Sequence, residues 1–296
     1  MLSFFVTGIV LANASLDIAL HDKKINNNSI KKYDLSQGSC KLVNLSSIIN
    51  IDYIEQFWVG LLEGDGTITI DENKPSINSR CRIVISVLNS TENEYMLNII
   101  KNYIGGKVRI EKKEKYVTWS AMNKKDIYNC IAIIDKYPLL TSRKICQFEF
   151  MKSCLRNRHR DYFLAHRDSK YKNQQYIINK YNNNFVIPYY FGAWLSGFIE
   201  AEGCFSMYKQ KYPDFLEKPK GFSIGQNNDF YIILAIKNYF NSNHAISIDK
   251  NIKENISHYH ITMYGPSLRK KLYSHFLINP LLGHKRLMCN KWLSLK

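Results

Sequence analysis

Hydrophobic and polar residues follow two alternating patterns over two long blocks of the chain. Apolar residues three or four positions apart predict helices, and strict alternation over four to eight residues predicts strands with one buried face. The first block, residues 51–157, shows the order helix, two strands, helix, two strands, helix. Its predicted elements are helix 52–63, strands 67–71 and 80–87, helix 91–104, strands 107–111 and 115–121, and helix 124–135.

The second block, residues 188–296, repeats the same order of patterns. Its predicted elements are helix 189–200, strands 204–210 and 220–226, helix 229–240, strands 244–249 and 257–264, and helix 265–276. The pattern predicts an α+β protein with two pseudo-symmetric αββαββα halves, each built on one antiparallel sheet.

The strand alternation also predicts which side chains face the core. We expect these apolar residues to point inward: Cys81, Ile83, Ile85, Val87, Val108, Ile110, Ile261 and Met263. Their neighbours in the same strands are mostly Arg, Lys, His, Ser and Thr. A sheet with one apolar face and one such polar face can lie in the major groove of DNA.

Three motifs occur once in each block, in the same order and about 140 residues apart. The pairs are 57–66 (FWVGLLEGDG) with 194–203 (WLSGFIEAEG), 100–103 with 236–239 (both IKNY), and 138–144 (PLLTSRK) with 280–286 (PLLGHKR). Such ordered self-similarity indicates a duplication. We therefore expect a pseudo-two-fold axis, a symmetry that suits duplex DNA.

The first motif pair predicts two helices that cross closely. Gly60 and Gly64 lie four residues apart on one helix face, as do Gly197 and Ala201 on the other helix. Small residues at this spacing let two helix backbones approach each other. The two helices are therefore expected to pack together at the interface between the halves.

Each of these helices ends in an acidic residue, Asp65 in the first half and Glu202 in the second. Gly66 and Gly203 follow, and we expect a left-handed cap at each. Neighbouring carboxylates repel each other, and both meet the negative ends of helix dipoles. A divalent cation reverses both effects, and Mg²⁺ or Mn²⁺ accepts carboxylate, water and phosphate oxygens. The residues thus predict a metal-dependent nuclease that takes one acid from each half.

Composition narrows the class further. The chain has 41 Lys and Arg against 25 Asp and Glu, a formal net charge of +16 at pH 7. This excess favours nucleic acid as the partner, with an anionic membrane surface as the alternative. A hydrophobic content of 45% excludes global disorder. The seven cysteines form no C-x-x-C pair, which argues for reduced thiols and against a disulfide framework or zinc site.

Two segments lie outside the blocks. Residues 1–50 contain an apolar stretch and a polar linker, and residues 158–187 form a basic, Asn-rich connection that we expect to be a solvated loop. Residues 7–22 (TGIVLANASLDIALHD) resemble a piece of cytochrome c oxidase subunit I. This resemblance implies an upstream exon read into an intron reading frame inside a mitochondrion. The alternative is an ordinary hydrophobic N-terminal anchor.

The paired helix motifs resemble those of monomeric, two-repeat LAGLIDADG homing endonucleases encoded by organelle introns. The resemblance covers roughly residues 52–296. It implies that Asp65 and Glu202 are the catalytic metal ligands, helped by the main-chain carbonyls of Gly64 and Ala201. A duplex DNA target and a monomeric protein without a small-molecule substrate are implied as well.

The resemblance also implies auxiliary residues near the acids. Gln226 resembles an active-site polar residue of the family, and Lys285 resembles its basic active-site residue. In the first half, Arg143 stands at the position of Lys285 with Lys144 next to it, and no residue clearly matches Gln226.

The two sheets are then expected to form a saddle over the duplex, with strand side chains reading bases and cations neutralising phosphate. The candidate DNA-binding residues are Thr67, Thr69, Arg80, Arg82, Ser86, Lys107, Arg109, Ser206, Tyr208, Ser223, His258, His260 and Thr262.

Two alternatives accompany this interpretation. The protein could be a maturase that assists splicing of its own group I intron RNA, alone or in addition to cleavage, or a DNA-binding regulator that does not cut. Both acids are present, which favours nuclease activity without excluding splicing. Glu63 and Glu200, at the sixth motif position, are interpreted as capping or packing groups.

Overall fold

The structure, a computed structural model, describes residues 49–70, 81–111, 113–157, 159–206, 221–251 and 256–294, which all belong to one structural unit, residues 42–296. The first half contains α1 (Ile51–Asp65), β1 (Gly66–Ile70), β2 (Cys81–Leu88), α2 (Thr91–Ile104), β3 (Lys107–Glu111), β4 (Tyr116–Ala121), α3 (Lys124–Lys136) and α4 (Ser142–Asn157). Two helices, α5 (Arg160–His166) and α6 (Gln174–Asn184), connect the halves. The second half contains α7 (Phe191–Glu202), β5 (Cys204–Phe205), β6 (Gly221–Asn227), α8 (Phe230–Tyr239), β7 (Ile246–Asn251), β8 (Ile256–Tyr264), α9 (Pro266–Ile278) and α10 (His284–Ser294).

Each half has one four-stranded antiparallel sheet, in the orders β1-β2-β4-β3 and β5-β6-β8-β7. Thr67 pairs with Val84 in the first sheet, and Cys204 pairs with Ser223 in the second. Since Thr67 and Cys204 follow the same motif, Val84 and Ser223 are equivalent positions. The α+β fold with two αββαββα halves is confirmed, and a fourth helix ends each half.

The core lies between the helices and one face of each sheet. In β2 the inward-facing set from Cys81 to Val87 is buried, while Arg82 and Ser86 are exposed. The expectation for Ile110 is wrong, because this side chain is 49% exposed in the edge strand β3. An edge strand is covered on one side only, so alternation alone overestimates burial there.

The connection between the halves also differs from the expected solvated loop. Its two helices bury Phe163 and Ile178, each 7% exposed. These two apolar residues stand within an otherwise polar, basic segment, so the sequence pattern did not predict the helices. Among the described helices, none combines the length and hydropathy that crossing a bilayer requires.

The expected left-handed caps at Gly66 and Gly203 are not formed. Both glycines have extended backbones, with φ −87° at Gly66 and −72° at Gly203, because the chain passes directly from helix into strand. Glycine is needed for space instead. A Cβ atom on Gly66 would lie 2.4 Å from the Leu62 carbonyl oxygen, and one on Gly203 would lie 2.8 Å from that of Ile199.

Candidate active site

The two motif helices α1 and α7 cross at van der Waals contact of their backbones. A Cβ atom on Gly60 would lie 1.9 Å from the Trp194 carbonyl oxygen, and one on Gly197 would lie 1.9 Å from that of Phe57. Nearer the helix ends, a Cβ atom on Gly64 would lie 2.2 Å from that of Ala201. Real Cβ contacts are longer than these distances, so only glycine permits this crossing.

Asp65 and Glu202 are the last residues of the crossing helices, and both remain exposed to solvent. Glu202 Oε1 lies 3.5 Å from the position that a Cβ atom on Gly64 would occupy. The second acid therefore reaches the tip of the first helix. Paired carboxylates with access to solvent meet the geometric requirement of a site shared between the halves.

The electrostatics of the two acids are coupled. Burial raises the pKa of Asp65, which Lys285 and Lys144 lower. Burial also raises the pKa of Glu202, and the negative charge of Asp65 raises it further, while the same two lysines lower it. Each acid thus experiences both lysines, one from each half.

Lys285 lies at the start of α10 and is partly buried. Its ammonium donates hydrogen bonds to the carbonyl oxygens of Ala201, at 3.3 Å, and of Gly203. This places a positive charge beside the Ala201 carbonyl that the resemblance assigns to the metal. The expected basic group is therefore next to Glu202.

In the first half, the two neighbouring candidate cations have different surroundings. Arg143 is exposed, and its guanidinium lies 4.8 Å from the ring centroid of Tyr171, an aromatic residue of the connection that offers a cation–π contact. Lys144 instead supplies the ammonium near the acids and is only 9% exposed. Burial lowers the pKa of Lys144, and the charge of Arg143 lowers it further, while the charges of Glu63, Glu202 and Asp65 raise it.

The amide expected at Gln226 has no counterpart in the first half. Gln226 is partly buried at the end of β6, and its side chain interacts with the Asp229 carboxyl group. The strand registers place Val87, which is 8% exposed, at the equivalent position of β2. The two halves therefore share the acids and a lysine but not this amide.

Glu63 and Glu200 cap helices, as interpreted from the sequence. Glu63 accepts hydrogen bonds from the backbone N–H of Leu140 at 2.8 Å, from that of Thr141, and from Trp194 Nε1 at 2.8 Å. Glu200 accepts one from the Lys285 backbone N–H at 2.7 Å. Burial raises the pKa of both carboxyl groups to about 7.

The described candidate residues on the polar faces of the two sheets differ in charge. In the first sheet the exposed candidates are Thr67, Thr69, Arg82, Ser86, Lys107 and Arg109. In the second, Ser223 pairs with Thr262, Ser206 follows β5, and His258 and His260 stack with centroids 5.7 Å apart. Arg80 and Tyr208 lie outside the described residues.

The histidines have neighbours that the sequence did not reveal. His260 Nδ1 lies 3.5 Å from Asp249 Oδ2, and His258 Nδ1 lies 2.9 Å from Asn227 Oδ1. The His258 ring also lies over Gly225, where a Cβ atom would come within 2.7 Å of it. Strand pairing creates these contacts, so no local sequence motif could have predicted them.

A metal ion at the paired acids would draw on few protein ligands. Within the described part of the chain, no group of three or more His, Cys, Asp or Glu residues could hold one. Asp65 and Glu202 are nevertheless hard oxygen donors with mutual repulsion, and nearby carbonyls add neutral oxygens. This donor set fits Mg²⁺ or Mn²⁺, which retain water and accept phosphate oxygens.

Two repeated halves, crossed helices that end in paired acids, and two polar sheet faces define a class of two-repeat nucleases. The family model described as LAGLIDADG endonuclease matches residues 58–154 and 195–295. The chain therefore belongs to the LAGLIDADG endonuclease family.

Relatives of the chain carry names of intron-encoded endonucleases. "Probable intron-encoded endonuclease aI3" of Dictyostelium citrinum is 37% identical over 245 residues, covering 80% of this chain and 93% of the relative. The protein of the same name from Debaryomyces hansenii is 32% identical over 342 residues, covering 97% of this chain. The chain spans about half of that relative's length, 48%.

Solved structures share the fold. LAGLIDADG homing endonuclease I-GzeII in complex with its DNA target has a TM-score of 0.60 and 19% identity, covering 82% of this chain and 88% of that chain. I-SmaMI bound to uncleaved DNA in the presence of calcium ions has a TM-score of 0.56 and 15% identity, covering 80% and 88%. These names agree with an endonuclease and do not favour the maturase alternative.

Proposed function

We propose that the protein is an intron-encoded homing endonuclease that cuts both strands of one DNA site by metal-dependent phosphodiester hydrolysis. The observation that carries the proposal is the meeting of Asp65 and Glu202 at the ends of two crossed helices. A carboxylate pair at helix C-termini is unfavourable for stability alone. Its retention in both halves supports a catalytic role.

Asp65 and Glu202 would hold the divalent ions, Mg²⁺ or Mn²⁺, with the carbonyls of Gly64 and Ala201. A bound ion at such a site polarises a phosphate and lowers the pKa of a water nucleophile. Lys144 and Lys285 place one positive charge from each half beside the acids. We assign them the stabilisation of the charge that develops on the phosphate oxygens. Gln226 is assigned an orienting role on one side only.

The polar faces of the two sheets would form a saddle over the duplex. Arg82, Lys107 and Arg109 would neutralise phosphate from the first sheet, while neutral groups such as Ser223 and Thr262 would contact base edges in the second. Affinity should then fall steeply with salt concentration. A single chain carries both halves, so a monomer would cover the whole site.

The target is inferred from the N-terminal resemblance. We assign residues 1–50 to exon-derived sequence and a linker, residues 51–157 and 188–296 to the two halves, and residues 158–187 to the connection. The DNA target is then the joined exon junction of an intronless cytochrome c oxidase subunit I gene, in mitochondria. Endonuclease names among the relatives support the intron origin.

Cleavage of a synthetic joined-exon duplex tests the proposal. Purified protein should cut both strands with Mg²⁺ and leave the duplex intact with EDTA. The variants Asp65→Asn and Glu202→Gln should bind the duplex without cutting it. An uncut duplex in the presence of Mg²⁺, together with protein-dependent splicing of the intron RNA, would support the maturase alternative instead.

A further inference from the structure

The two helices that carry the site lysines begin at backbone groups held by the opposite half. The Ser142 N–H, at the start of α4 in the first half, donates to Asp229 Oδ2 of the second half at 2.9 Å. The His284 N–H, at the start of α10 in the second half, donates to Asn93 Oδ1 of the first half at 2.9 Å. Each half therefore fixes the lysine-bearing helix of the other.

Asp229 and Asn93 are equivalent residues of the two repeats. Each stands seven residues before the first residue of its IKNY motif. Ser142 and His284 are likewise equivalent, since each follows four residues after the proline of its closing motif. The two contacts therefore occupy equivalent places in the two repeats. They differ in the accepting group, which is an amide at Asn93 and a carboxyl group at Asp229.

The Asp229 side chain is not used as a cap for its own helix. Asp229 is the N-cap residue of α8, yet its side chain makes no cap hydrogen bond to that helix. The Asp229 side chain is fully buried. The neighbouring residue Asn228 fixes this part of the backbone to β8, because its side chain accepts a hydrogen bond from the Ser257 N–H at 3.0 Å. This costly placement of a buried carboxyl group serves the neighbouring helix α4.

Asn93 likewise binds the start of a helix in the opposite half, and both the nitrogen and the oxygen of its side-chain amide form hydrogen bonds. Its Nδ2 donates to the Leu88 carbonyl oxygen at 2.9 Å while its Oδ1 accepts from His284. It is 8% exposed. Because an amide does not titrate, this contact is the same at any pH at which the protein is folded.

We propose that Asp229 and Asn93 are equivalent positioning residues, and that each holds the lysine of the opposite half in place. Of these two contacts, only the one made by Asp229 responds to pH. The inference rests on the proposed nuclease function, because Lys144 and Lys285 act on cleavage. Asp229 fixes the first turn of α4, where Lys144 lies two residues beyond Ser142. Asn93 fixes the first turn of α10, where Lys285 follows His284 directly.

The surroundings of Asp229 set the sign of the pH effect. Burial raises its pKa to about 6, and interactions with Ser142, Gln226 and Tyr231 lower it in part. Among the described residues, the titratable groups that face it are Tyr231 on α8 and Cys146 on α4. As the pH falls through about 6, the carboxylate gains a proton and accepts more weakly from the Ser142 N–H.

The two strands of the target should therefore respond differently to acid. One cut depends on Lys144 and loses rate when Asp229 is protonated, whereas the other depends on Lys285 and keeps its contact with Asn93. The ratio of the two cutting rates cancels pH effects common to both sites, among them protonation of the equivalent capping residues Glu63 and Glu200, whose pKa is about 7. At one pH unit below the pKa about nine-tenths of the groups are protonated, so the ratio should change by up to about tenfold.

Single-turnover cleavage of the joined-exon duplex, with each strand labelled at its 5′ end, measures this ratio at pH 8 and pH 5. In the native protein the ratio should change with pH; in Asp229→Asn it should stay constant, with both strands cut at pH 8. Asn93→Asp, which leaves Asp229 in place, should make both cuts pH-dependent, so that their ratio again stays constant. Circular dichroism at both pH values confirms that each variant is folded.

The outcomes separate this inference from the proposed function. If neither strand is cut at pH 8, the nuclease assignment fails before the ratio can be measured. If both strands are cut and the native ratio is the same at both pH values, or Asp229→Asn still shows the pH-dependent ratio, the positioning role of Asp229 is wrong. Loss of folding in Asn93→Asp leaves the Asp229→Asn comparison decisive.

Discussion

The two halves of the molecule are alike near the pseudo-two-fold axis and different away from it. Both have a glycine at the helix crossing, an acidic residue at the helix end and a capping glutamate, which in the first half are Gly60, Asp65 and Glu63. They differ at the amide of Gln226, which Val87 replaces, and in the charge of the described candidate residues on the sheet faces. The parts that must meet at one place are conserved between the halves, and the parts that would face separate stretches of DNA in the proposed function differ.

The strongest test of the shared part removes one acid at a time. If Asp65 and Glu202 hold metal ions for both cuts, Asp65→Asn should lose cleavage of both strands and not only one. A metal ion contributes several kcal/mol to the transition state, and each 1.4 kcal/mol is tenfold, so the loss should be about a thousandfold. Strand-specific rates measure it. Cleavage of one strand at the native rate would show that the halves act independently.

The second test breaks the helix crossing. Gly60→Ala places a methyl group against a backbone carbonyl, so the free energy of unfolding should fall by about 1–3 kcal/mol or more. Gly197→Ala should behave alike. Urea unfolding measures the loss. Gly192→Ala, on the helix α7 that carries Gly197, is the control, because the atom nearest to its Cβ would be Asn279 Nδ2 at 3.0 Å, the end of a side chain that can move. Equal losses in all three variants would contradict the close crossing.

The third test separates the lysines. Lys144→Met should slow one strand cut by about a hundredfold, as removal of one preorganised donor does, and Lys285→Met should slow the other. Arg143→Met is the matched control and should change both rates little, because its guanidinium lies over Tyr171. A larger effect from Arg143→Met than from Lys144→Met would restore the assignment made from motif position.

The smallest expected effect concerns the different sheet faces. Arg82→Ala and Lys107→Ala should each reduce the slope of log affinity against log salt by about one, since each removes one phosphate contact. Ser223→Ala and Thr262→Ala, on the second face, should leave the slope unchanged. Binding titrations at several salt concentrations measure both. Equal slopes for all four variants would show that the charge difference between the faces has no role in binding.

Most of the fold could be predicted from the sequence because the chain contains two copies of one pattern. Helical spacing and strand alternation predicted the elements, and the duplicated motif predicted that Asp65 and Glu202 lie together. The sequence pattern did not predict the two helices of the connection, because their few apolar residues stand within a basic segment. It also mispredicted Ile110, since whether a strand lies at the edge of a sheet is a property of the assembled sheet.

The auxiliary residues of the site were harder to predict. Motif alignment pointed to Arg143, whose guanidinium lies over the Tyr171 ring of the connecting segment, whereas Lys144 is the residue whose pKa responds to the charges of both acids. Asp229 and Asn93 escaped notice because their partners lie in the opposite half. Repeat alignment would have paired these two residues, but not revealed what they contact.

Anomalous diffraction from crystals of the protein with the joined-exon duplex and Mn²⁺ would show directly whether the paired acids hold metal. We expect anomalous peaks between the carboxylates of Asp65 and Glu202 that also contact a backbone phosphate of the DNA. Peaks bound elsewhere on the protein, with these two carboxylates free of metal, would contradict it.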